Sequence, residues 1–189
     1  MQDEIDRELP ADLSALTLLN SWCSSSHRFI FTRPHQHFHS LLELKLDGVV
    51  FKELRLTPEN TPNIVTLSMT NVGSLDSMDD FEVILPNLEE LEIFFMESDK
   101  MRPLNAMLAA ATHLVSFKSR KLWVNGTLKF ASDSLVEVTI VRSDCLQGLR
   151  IESPVLELVN VTASYDVSRL TILPNKLLGG SVSSDIQVR

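Results

Sequence analysis

The chain has 189 residues, 44% of them hydrophobic, enough to bury one sizeable core without disulfides or a structural metal. Its net charge of -8 is unevenly placed: residues 1–100 hold 18 acidic and 7 basic side chains, residues 101–189 hold 7 and 10. An acidic half without a dense Lys/Arg stripe excludes nucleic acid as a general partner, and no apolar run reaches membrane-spanning length, so no membrane partner is expected.

The first residues, Met1-Gln2-Asp3-Glu4-Ile5-Asp6, are acidic where a signal peptide is basic and then apolar. The two cysteines, Cys23 and Cys145, lie too far apart to suggest a disulfide framework. Both features point to a cytoplasmic or nuclear protein with free thiols. Leu13, Leu16 and Leu19 fall at helical spacing, predicting a short amphipathic helix from Asp12 to Trp22 that ends at Ser24-Ser25-Ser26. Residues 1–40 then form an N-terminal cap or linker segment, because the end repeat of an array needs a cover for its apolar face. Cys23, His27, His35, His37 and His39 cluster in this region, and an extended strand would turn the last three imidazoles to one side. Zinc accepts such ligands, but in a polar segment ahead of a repeat the solvated linker is preferred. No metal or cofactor is expected.

From Leu41 to Ile172 a Leu-x-x-Leu-x-Leu pattern recurs: Leu41/Leu44/Leu46, Ile64/Leu67/Met69, Leu88/Leu91/Ile93, Leu135/Val138/Ile140 and Leu146/Leu149/Ile151. The middle positions 44, 67, 91, 117, 138 and about 158 are 20 to 26 residues apart, the turn length of a solenoid. A second set, Leu54, Leu128, Leu149 and Leu170, each with an apolar residue two positions on, predicts strands on the opposite side of the coil. Two turns are expected to carry helices there. One is capped by Ser77, contains Phe81 and Ile84 and stops before Pro86; the other has Pro103 in its first turn and Leu104, Met107 and Leu108 facing inward.

These copies resemble the leucine-rich repeat family over residues 41–173. Runs such as Leu85-Pro86-Asn87-Leu88-Glu89-Glu90-Leu91-Glu92-Ile93 are similar to the irregular repeats of F-box/leucine-rich-repeat proteins. The resemblance implies an α/β solenoid over residues 41–189, with a parallel concave sheet and a convex side mixing helices and short strands. As an alternative to a plain scaffold, it implies a role in presenting substrates to a ubiquitin-ligase subunit. An F-box needs a longer helical module after Leu9-Pro10 than the interval to Trp22 provides.

Strand alternation buries Leu44, Leu46, Leu67, Leu91, Ile93, Val138, Ile140, Leu149, Ile151 and Leu158 and turns their neighbours outward in rows. The first row reads Glu43, Thr66, Glu90, Ser116, Glu137. The second reads Lys45, Ser68, Glu92, Lys118, Thr139, and the third Asp47, Thr70, Phe94, Arg120, Val141. Glu92 and Lys118 are placed to pair, and Phe94 has the make-up of a binding anchor. Glu43, Glu90, Glu92, Phe94, Lys118, Arg120 and Glu137 are therefore the candidate partner-binding residues, for a protein whose identity the residues do not name. No phosphate loop, nucleophile elbow or His-Glu-x-x-His helix is present, so no enzyme is expected. The alternative that keeps catalysis is a parallel β-helix acting on polysaccharide, which is also a coil of strands.

Overall fold

Six parallel strands, β1 (Ala15–Leu19), β2 (Glu43–Asp47), β4 (Thr66–Ser74), β6 (Glu90–Ser98), β7 (Ser116–Ala131) and β8 (Glu137–Glu152), lie side by side in chain order on one face of the coil. β9 (Leu158–Ala163) extends this face from β8. The computed structural model describes residues 13–19, 36–49, 53–74, 80–98, 101–163 and 169–173. Leu44, Leu67, Leu91, Phe117, Val138 and Val159 are directly opposite one another from strand to strand. All are buried, and two further inward rows flank them: Leu41, Ile64, Leu88, Leu114, Leu135, Leu156 and Leu46, Met69, Ile93, Ser119, Ile140, Val161. Each rung thus places three side chains in the same layers, and burying one large aliphatic side chain contributes about 1.5–3 kcal/mol.

The entry to each rung also repeats in its hydrogen bonds. One carbonyl of the preceding rung accepts from two consecutive amides: Ser14 from Leu42 and Glu43, Leu42 from Val65 and Thr66, Val65 from Glu89 and Glu90, Glu89 from Val115 and Ser116, Val115 from Val136 and Glu137, Val136 from Glu157 and Leu158. The repeat of this contact shows that β1 belongs to the same ladder. The helix expected from Asp12 to Trp22 is a strand over Ala15–Leu19, with Leu16 and Leu18 packed on the core and Leu19 exposed. The unpaired edge of β2 supplies hydrogen-bond partners that an isolated short helix lacks, and this outweighs the 3-residue spacing of the leucines.

The second face corrects the expected fold class. The coil is a β-solenoid and not an α/β leucine-rich-repeat solenoid with a mixed convex side. β3 (Glu53–Leu56) pairs in parallel with β5 (Asp80–Val83), while the distal halves of β7 and β8 and then β10 (Arg169–Leu173) continue the opposite end of that face. Among the described residues, α1 (Met101–Ala110) is the one α-helix. The helix expected around Phe81 and Ile84 is strand β5, where Phe81 lies opposite Leu54 and Val83 opposite Leu56, and Ile84 is exposed. The two-residue alternation of Phe81 and Val83 matches that of Leu54 and Leu56, so pairing with β3 wins over the three-residue spacing. Ser77 lies outside the described residues. α1 has the expected form, with Leu104, Met107 and Leu108 buried.

Leu158 is exposed, against expectation, because the register places Val159, not Leu158, opposite Val138. The other nine expected core residues are buried. Segment Gln36–Ser40 is a 3-10 turn, so the strand alternation invoked for His35, His37 and His39 does not hold; Cys23, His27 and His35 lie outside the described residues. No helix among the described residues is long and apolar enough to cross a membrane.

Candidate functional site

The outer face of the first sheet carries the three rows expected from strand alternation, in an unbroken register from β2 to β8. Neighbouring strands are about 4.8 Å apart, so Glu43, Glu90 and Glu137, each two strands from the next, recur about every 10 Å along the first row. All seven candidate residues lie on this face. Their contacts differ from those expected.

Lys118 pairs with Glu137, with Nζ 3.6 Å from Oε2, and not with Glu92. Glu137 also accepts from Thr139 Oγ1 at 3.1 Å and from Ser116 Oγ at 3.4 Å, which draws its carboxylate along β8 toward Lys118. Lys45 Nζ lies 2.5 Å from Glu43 Oε1. That hydrogen bond, with the attraction of the Glu43 charge and a smaller one from Glu92, holds the Lys45 ammonium above its ordinary pKa. Exposed pairs of this kind are screened by solvent and add little to stability, so they orient the face more than they hold it. Glu90 and Arg120 have no ion pair among the described residues. Phe94 is half-buried between Thr70 and Arg120 and is less available as an anchor than its row position suggests.

Among the described residues, the aromatic side chains that do reach solvent are Phe95 and Trp123, at 43% and 51% exposure. Strand alternation singles out neither, although a signal for one is present. Four positions beyond the middle inward residue in the rungs of β2, β4, β6, β7 and β8, the backbone enters the left-handed region: Gly48 (φ 67), Asn71 (φ 52), Phe95 (φ 55), Lys121 (φ 54) and Arg142 (φ 56). This is the corner where the chain leaves the first face for the second. Gly and Asn adopt positive φ at low cost, so Gly48 and Asn71 mark the corner, and counting one turn onward reaches Phe95. Asn71 Nδ2 donates to Asp47 Oδ1 of the preceding rung at 3.2 Å, and Lys121 Nζ sits 4.6 Å from the centroid of the Phe95 ring.

No group of three or more His, Cys, Asp or Glu side chains arranged to hold a metal ion occurs among the described residues. Comparison with protein-family models, curated proteins and solved structures finds no match.

Proposed function

We propose that this protein is a non-enzymatic scaffold that binds a partner protein through the outer face of its first sheet. The observation that carries the reading is the register, which sets Glu43, Glu90 and Glu137 in one row beside Lys118, Arg120 and Phe94. Regularly spaced charges on one sheet face offer complementarity to a second folded surface. The carboxylates of Glu43 and Glu137 are engaged by Lys45 and Lys118, as suits side chains that position a surface. The test is quantitative affinity capture with the wild-type protein and with the triple variant Glu43→Lys/Glu90→Lys/Glu137→Lys, both verified as folded. A partner lost by the variant supports the reading; a set of captured proteins identical for both removes the face from consideration.

A second reading, a β-helix acting on polysaccharide, draws support from the strands found on both faces of the coil. Incubation with a panel of acidic and neutral polysaccharides separates the two: new reducing or unsaturated ends released by the wild-type protein would favour the enzyme.

A further inference from the structure

The left-handed corner row changes character along the coil. In the rungs of β2 and β4 it holds Gly48 and Asn71, the residues that tolerate positive φ, but in the next three it holds Phe95, Lys121 and Arg142. A residue with a full side chain in this conformation is sterically disfavoured relative to its ordinary backbone, so three successive rungs carry strain that Gly would relieve. Strain retained on adjacent rungs, at positions whose side chains all face solvent, serves the side chains and not the fold.

Those side chains form a coherent surface. Arg120 immediately precedes Lys121, and Lys121 and Arg142 occupy the same corner position on adjoining rungs. None of the three has a carboxylate partner among the described residues, in a chain whose net charge is -8. Lys121 lies over the Phe95 ring instead. Trp123, two residues beyond the corner, presents an exposed indole. Unpaired arginines beside exposed aromatic rings are the residue types that dominate protein-binding hot spots.

We propose that this ridge, Phe95, Lys121 and Arg142 with Arg120 and Trp123 beside it, is the docking site for an acidic segment of a partner protein. Carboxylates spaced along an extended chain would meet Arg120, Lys121 and Arg142, and an apolar side chain would lie on Phe95 or Trp123. Strand spacing of about 4.8 Å between the cations of successive rungs is within the reach of carboxylates at alternate positions of an extended peptide, about 6.8 Å apart. The proposal rests on the scaffold reading and names the chemistry of one partner segment.

The test is fluorescence anisotropy with three labelled probes: a peptide of alternating Glu and Phe, one of alternating Lys and Phe, and an oligothymidylate. The acidic peptide is expected to bind the wild-type protein, to bind Arg120→Glu/Arg142→Glu at least tenfold more weakly, and to weaken as salt is raised. Phe95→Gly is expected to keep or raise the melting temperature while weakening the peptide about fivefold, which a purely structural role would not do. Absence of acidic-peptide binding, affinity indifferent to both variants, or equal affinity for the basic peptide or the oligothymidylate would each overturn the proposal. If the Glu43/Glu90/Glu137 variant loses its captured partner while the ridge variants leave the peptide unaffected, the ridge fails and the scaffold reading stands.

Discussion

The side chain of Asn105, on helix α1, hydrogen-bonds to the backbone of Lys129 in β7 as though it were another strand. Its Nδ2 donates to Thr127 O at 2.9 Å, and its Oδ1 accepts from Lys129 N at 3.0 Å. In a parallel ladder a strand residue makes this same pair, donating to one carbonyl and accepting from the amide two residues on. A carboxamide has both groups in one plane, so Asn105 takes the place of the strand that α1 displaced. The helix can therefore interrupt the second face without leaving the edge of β7 bare.

Asn105→Ala should remove both bonds and lower stability by about 1–2 kcal/mol, each net hydrogen bond contributing about 0.5–1.5 kcal/mol. Asn105→Asp keeps the acceptor for Lys129 N but cannot donate to Thr127 O, so its cost should exceed that of a surface substitution. Urea denaturation of the two variants checks this, and wild-type stability for Asn105→Ala would mean that water replaces the side chain.

Ser119 occupies the third inward row between Ile93 and Ile140, fully enclosed, and its hydroxyl has no hydrogen-bond partner among the described residues. Desolvating a hydroxyl without compensation costs about 1–3 kcal/mol. Ser119→Ala should therefore raise stability by about 1 kcal/mol, an unusual sign for a buried position, seen as a higher melting temperature in calorimetry. A loss of stability would show that an ordered water satisfies the hydroxyl.

Arg142→Gly should be neutral or stabilising by up to about 1 kcal/mol, since relief of the positive-φ strain exceeds the added chain entropy of glycine. Phe95→Gly should gain less, because it also forfeits the Lys121 contact, which is worth about 0.5–1 kcal/mol at an exposed site. Chemical denaturation of both variants measures the order. Destabilisation of Arg142→Gly by more than about 1 kcal/mol would contradict the strain account.

Gly126 has φ +144, and a Cβ there would stand 2.5 Å from Met101 Cγ at the start of α1. Gly126→Ala should cost about 2 kcal/mol or more, from backbone strain and overpacking together. Adding Met101→Ala should recover the packing part and leave the backbone part. A double-mutant cycle with zero coupling would place the whole cost in the backbone.

How much can be read from the residues is clearest where rungs are compared. Leu44, Leu67, Leu91 and Val138 are alignable because each sits at the same offset from a preceding apolar residue, and their alignment sets the three outward rows. The same offset is met twice near the end of the coil, from Val155 to Leu158 and from Leu156 to Val159, and only pairing with β8 selects Val159. Strand alternation turns Phe94 outward and so makes it the expected exposed aromatic. Phe95 reaches solvent because its backbone is left-handed, a state that local alternation does not encode.

By itself the sequence determines the coil: an apolar residue at fixed offsets every twenty-odd positions can be buried only by stacking one turn on the next, so the inward rows and the charged outward rows are set by spacing. The tertiary structure decides what spans the second face and what the corner displays. Phe81 stands two residues before Val83 and three before Ile84, and Asp80–Val83 becomes a strand because β3 presents an unpaired edge beside it. α1 remains a helix where Asn105 can stand in for the missing strand. Both outcomes turn on hydrogen-bond partners supplied by neighbouring rungs, which no window of residues contains.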